Sequence, residues 1–135
     1  MIRSHKDLQV WQKSICLAGK VYEATREFPE SERWGLTAQT RRAAVSIASN
    51  IAEGSARGGR AELLHFLHIA RGSLSELETQ VLIAVNQRML ESPTALQNDI
   101  CEVGRLLNGL IRSLTRQVER SATRPRPRSR SVISG

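Results

Sequence analysis

At 135 residues the chain has the size of one domain with one core, and with 40% hydrophobic but only 4% aromatic residues that core must come from Leu, Ile, Val and Ala. This diet argues against a β-sandwich, and no apolar run approaches the roughly 18 residues of a bilayer span. The net charge of +7 is uneven: Arg120, Arg124, Arg126, Arg128 and Arg130 give the last sixteen residues +5, leaving only +2 for the first 119.

The first helix is expected to start after Asp7, a good N-cap residue, and to run to Phe28, where Pro29 stops it. Leu8, Trp11, Ile15, Ala18 and Tyr22 keep the i, i+3/i+4 rhythm, and Val10, Leu17, Val21 and Phe28 form a second set alongside. The helix is therefore apolar on two sides. A short link containing Trp34 leads to a second helix, about Leu36 to Ala52, with Leu36, Ala43, Ala44, Ile47 and Ile51 inward. Ala44, Ala48 and Ala52 recur every four residues and invite close approach of a neighbour, and Gly54, Gly58 and Gly59 end the helix and form the turn.

The third helix, about Arg60 to Leu90, carries the clearest pattern: Leu63, Leu67, Ala70, Leu74, Leu77, Val81 and Ala84 alternate four and three apart as a heptad seam. Ser92 and Pro93 read as N-cap and first helical residue of a fourth helix, which buries Leu96, Ile100, Val103, Leu107, Leu110 and Leu114 and ends near Glu119. Short links between long helices predict an all-α, up-down-up-down antiparallel four-helix bundle over residues 1–119. Residues 120–135, with like charges, two prolines and almost nothing to bury, are expected to be a disordered basic tail.

Little in the sequence points to chemistry. Cys16 and Cys101 have no ligand-spaced neighbours and read as small buried thiols. Glu62 and His65 match the E-x-x-H spacing of di-iron bundles, but such sites need two of these motifs, and this pair falls opposite the leucine seam. His68 shares that helix without completing a ligand set. The turn from Gly54 to Arg60 is glycine-rich and basic, yet it lacks the Lys-Ser/Thr and the strand of a phosphate-binding loop. No Ser or Cys has an obvious His/Asp partner. The expectation is a non-enzyme with no cofactor and no metal. The N-terminal residues do not form a secretory signal, which predicts a soluble, cytoplasmic protein without membrane attachment.

Three features exceed this minimum. Ile69 and Ile83 fall on the outward face of the third helix, suggesting another subunit. Arg71 and Glu78 flank its seam, and Arg41, Arg42, Asn50 and Glu53 crowd the second helix, where polar groups so near a core are expected to pair and to serve the fold or a subunit contact. Arg57 and Arg60 in the turn, with the five tail arginines, are candidates for phosphate contacts. Base stacking is expected to be minor, because Trp11, Tyr22, Phe28, Trp34 and Phe66 lie in or beside apolar patterns.

Several linked motifs occur in order: Asp7-Leu-Gln-Val-Trp-Gln-Lys13, Phe28-Pro29, Gly35-Leu-Thr-Ala-Gln39, Arg41-Arg-Ala-Ala-Val-Ser-Ile47, Asn50-Ile-Ala-Glu-Gly54, Phe66-Leu-His-Ile-Ala-Arg-Gly-Ser-Leu74 and Glu76-Leu-Glu-Thr-Gln80. Over about residues 7–118 the chain thus resembles the bacterial four-helix-bundle family encoded in intervening sequences of 23S ribosomal RNA genes. The resemblance implies an up-down bundle assembled as a ring-shaped pentamer. It also brings in a basic pentameric relative, the accessory variability protein of diversity-generating retroelements, which engages a reverse transcriptase and nucleic acid. Arg41, Asn50, Glu53, Arg71 and Glu78 fall on the shared motifs. Two functional expectations follow: an oligomer that holds RNA or DNA through its phosphates, or a protein-interaction scaffold whose tail only confers solubility.

Overall fold

The computed structural model describes residues 5 and 8–123, and among them every regular element is helical, with no strand. Four long helices surround one core: α1 (Gln9–Thr25), α2 (Leu36–Ala56), α3 (Arg60–Asn86) and α4 (Thr94–Thr123). A single 3-10 turn, Glu30–Glu32, lies between α1 and α2. Each helix packs on two neighbours: α1 on α2 and α4, and α3 on α2 and α4.

The two apolar sets of α1 have different fates. Val10, Leu17 and Val21 are buried in the core, whereas Ile15 and Tyr22 are exposed and Trp11 and Ala18 only half-buried. Leu8 takes the N-cap position in extended conformation, and Asp7 lies outside the described residues. At the other end α1 stops three residues short of Phe28. The Thr25 hydroxyl donates to the carbonyls of Val21 and Tyr22, the chain tightens to i→i+3 bonds, and Pro29 keeps Phe28 out of helical geometry. Phe28 is nevertheless buried against the core.

The second helix runs past its expected end. Gly54 is an interior, buried residue of α2, where a Cβ would stand 2.7 Å from Phe66 Cβ and 3.3 Å from Leu63 Cα. It marks the close approach of α2 to α3, and it does not break the helix. The turn falls to Gly58, whose φ of 82° is left-handed, and Gly59, the N-cap of α3. At its start, α2 is capped by Glu32, whose carboxylate accepts from the Leu36 N–H at 3.0 Å.

Every seam residue of α3 is buried, as the heptad pattern requires. The helix closes at Asn86, earlier than expected, in a Schellman motif: the Met89 N–H donates to Ala84 and the Arg88 N–H to Val85, with Arg88 left-handed at φ 59°. In α4 the Gln97 N–H donates to the Pro93 carbonyl, so Pro93 caps the helix and Thr94 begins it. Ile111 takes the buried place expected for Leu110, which is only half-buried. The helix continues to Thr123, so residues 120–123 belong to it and not to the tail. Cys16 and Cys101 are both exposed free thiols, contrary to the expectation of burial. Among the described residues no helix is long and apolar enough to cross a membrane.

Candidate nucleic-acid interface

Among the described residues, the largest concentration of unpaired positive charge lies on α4. Its core side, Val103, Leu107, Ile111 and Leu114, is buried. At ~100° per residue, Arg105, Arg112, Arg116 and Arg120 fall within an arc of about 80° on the opposite side. All four are exposed, and none of their side chains has a hydrogen bond or ion pair among the described residues. Glu119 is the single acid between Arg105 and Thr123. The stripe spans about 22 Å of helix. Of its members only Arg120 was expected as a phosphate contact. The 7, 4, 4 spacing was the available signal, but a tally of charge by segment does not register which side of a helix it lies on. Arg124, Arg126, Arg128 and Arg130 lie outside the described residues.

The α2–α3 turn is less suited to an anion than its composition suggested. Arg57 is paired with Glu53 at 2.8 Å, and its guanidinium lies over the Phe66 ring. Arg60 is exposed and unpaired among the described residues. Glu62 occupies the first turn of α3, with its carboxylate carbon and oxygen near Gly59, so an acid already faces the positive end of that helix.

The residues expected at a fold or subunit contact are dispersed. Ile69 and Ile83 are exposed at 40% and 45%. Arg71 and Glu78 are also exposed and form no pair, which corrects the expectation of a core-edge ion pair: Arg71 bonds His68 Nδ1 at 2.9 Å and reaches Asn108 at 3.4 Å. Glu78 lines a shallow groove with Leu82 and Cys101. Asn50 donates to the carbonyl and hydroxyl of Ser46, whose Oγ lies 2.8 Å from that of Ser73, so a polar chain links α2 to α3. Glu53 is exposed, and Arg42 is exposed and unpaired among the described residues. Arg41 donates through Nε to Thr25 Oγ1 at 2.8 Å.

The family described as 23S rRNA-intervening sequence protein matches residues 6–109. The chain belongs to that family. A protein of unknown function from the S23 ribosomal protein family of Bacteroides thetaiotaomicron has the same fold, with a TM-score of 0.67, 24% identity, and coverage of 76% of this chain and 97% of that chain. Comparison with curated proteins gives no significant match.

In this member of the 23S rRNA-intervening sequence family the match ends within α4, after Arg105, so Arg112, Arg116 and Arg120 lie beyond it. Glu62, His65 and His68 are exposed, and no group of three His, Cys, Asp or Glu able to hold a metal occurs among the described residues. The aromatic residues differ from expectation. Trp34 is 83% exposed and Tyr22 is 42% exposed, so neither is committed to the core. Two ion pairs tie α1 to α4, Lys13 with Glu102 and Lys20 with Asp99; the Asp99 hydrogen bond raises the Lys20 pKa above its usual value.

Proposed function

We propose that this protein is a non-enzymatic, cytoplasmic homo-oligomer, a pentamer of up-down-up-down antiparallel bundles, that holds nucleic acid through backbone phosphates. The observation that carries the reading is the exposed, unpaired arginine stripe of α4. Exposed arginines left unpaired along one side of a helix, with a single acid among them, suit a polyanion better than a small ligand. The tail arginines add further positive charge to the same chain. Chain direction is supported by paired positions that run oppositely: Lys13 with Glu102 and Lys20 with Asp99, Gly54 with Phe66 and Ser46 with Ser73.

The test is a salt titration on RNA and duplex DNA with the full chain, with R112Q/R116Q, and with a chain ending at Thr123. Each phosphate contact contributes a slope of about −0.9 on duplex DNA, or about −0.7 on single strands, in log K against log salt. The double substitution should therefore flatten the duplex slope by about 1.8 while helicity is retained. Removal of the tail should flatten it further. If the full chain binds neither polymer at ~50 mM salt, where such contacts are strong, the reading fails. A second reading is favoured by the exposed Ile69, Leu82 and Ile83: a protein-interaction scaffold, or an accessory subunit for an enzyme such as a reverse transcriptase. One protein partner retained after nuclease treatment would support it.

A further inference from the structure

At the α1–α2 end of the molecule an open recess of about 490 Å³ is lined by Tyr22, Arg33, Trp34, Arg41, Arg42 and Val45 among others. Three arginines and two aromatic rings meet there, and no acidic residue lines the recess. The Arg33 guanidinium lies 4.9 Å from the centre of the Trp34 ring, and that of Arg41 lies 4.7 Å from the centre of the Tyr22 ring. Arg41 is held in place by its Nε bond to Thr25, while its terminal nitrogens have no partner among the described residues. Arg42 is exposed and likewise unpaired among the described residues.

Trp34 is the most exposed large hydrophobic side chain of those described. Its backbone is nonetheless fixed from both sides. The Arg33 N–H donates to Glu30, the Gly35 N–H to Glu32, and the Glu32 carboxylate accepts from Leu36 at the start of α2. A Cβ at Gly35 would stand 2.9 Å from that carboxylate oxygen, so glycine leaves room for the cap. The pinned backbone fixes where the indole is presented to solvent before any ligand arrives, and nothing in the single chain's core accounts for its exposure.

We propose that this recess binds one unpaired nucleotide of single-stranded nucleic acid, the base stacking on Trp34 and its phosphate held by Arg41 and Arg42. The chemistry argues for a nucleotide over an acidic peptide. The recess offers ring faces with guanidinium groups over them, and its lining carries arginines and no acid. Arg33 pairs with Glu30 outside the lining, leaving Arg41 and Arg42 without an acidic partner among the described residues. A recess of this size is in the range of small-ligand sites, which run from about 300 to 1,000 Å³. A base inside a duplex presents no free face, so the site selects single strands, whereas the α4 stripe reads phosphate alone. The inference rests on nucleic acid being the ligand, and it adds strand selectivity to that reading.

The test measures affinities of the full chain for a twelve-nucleotide oligouridine RNA and for a duplex of equal length, beside W34A, R42Q and R112Q/R116Q. Trp34 is exposed and outside the core, so W34A should fold, which circular dichroism checks. W34A should lose roughly tenfold or more on the single strand and leave duplex affinity unchanged. R42Q should weaken the single strand by less, and R112Q/R116Q should weaken both polymers. In a W11F background, oligouridine should quench the remaining tryptophan fluorescence. Unchanged single-strand affinity in W34A overturns the site. So does a change in oligomer mass on W34A, which would make the recess a contact between copies. If the native chain binds duplex but not single strand, this site fails and the phosphate reading stands. If it binds neither, both fail.

Discussion

Replacing Gly54 with alanine should destabilise the protein even though it improves the helix. In an exposed helix the change is favourable by about 1 kcal/mol. Here the new methyl carbon would lie 2.7 Å from Phe66 Cβ, 3.2 Å from Leu63 Cδ1 and 3.3 Å from Leu63 Cα. Carbon atoms rest at about 3.5–4.0 Å, so α2 and α3 must part by about 1 Å. Two of these three atoms are a Cβ and a backbone Cα, and neither moves without its helix. The strain belongs near the top of the ~1–3 kcal/mol range for overpacking, a net loss of about 2 kcal/mol. For a bundle of this size that lowers the melting temperature by about 8 °C. Gly72→Ala is the control: Gly72 is exposed on α3, with nothing within 4 Å of a Cβ, and the change should raise the melting temperature by a few degrees. Thermal denaturation followed by circular dichroism compares the two. A Gly54→Ala protein as stable as the native chain would refute the close-approach account.

Gln80 Oε1 is buried without a hydrogen-bond partner among the described residues, so Gln80→Met should add about 1 kcal/mol in urea denaturation; a loss of that size would mean that the amide is used in the assembled protein. Cys16 and Cys101 are exposed, so Ellman's reagent should titrate two thiols per folded chain at the rate of unhindered groups. An unreactive Cys101 would contradict that and place the α3–α4 groove beneath a neighbour. The double change I69K/I83K should reduce the mass seen by light scattering while helicity persists, because both side chains are exposed on the single chain. An unchanged mass would exclude this side of α3 as a subunit contact.

Packing was legible in the sequence wherever one periodic pattern had one possible partner. The α3 seam is the clearest example, since seven positions at heptad spacing admit a single buried side. On α1 two patterns competed, and periodicity cannot choose between them: Val10, Leu17 and Val21 went inward because the other helices lie on their side, leaving Ile15 and Tyr22 outward. In sequence Gly54 reads as a terminator, because a glycine near a helix end has the same letter whether it releases the chain or admits a neighbour. Residue type alone predicts burial for the two thiols, and the fold leaves both exposed. For the candidate sites, the tail draws attention by its closely spaced arginines, whereas the α4 stripe is spaced seven, four and four residues apart and lines up only when the helix winds it together. Trp34 lies beside the apolar pattern of α2 in sequence, and only the fold shows its ring exposed outside the core.

The length of α4 has a further consequence for how firmly its arginines are held. Its last buried side chain is Leu114, and from Thr115 to Thr123 no residue is buried. Those final turns depend on backbone hydrogen bonds and propensity, so they belong to the part of the molecule that opens most readily and should exchange their amide hydrogens early. Arg116 and Arg120 sit there. A polyanion that engages them must also stop the fraying, and part of its binding free energy goes into completing the helix. Affinity should then respond to helix strength as well as to charge. Gly109, one turn before Leu114 and with nothing within 4 Å of a Cβ, offers the means to observe this. Gly109→Ala adds no charge and touches no ligand, yet it should slow exchange across the last turns and tighten binding to RNA by a few-fold.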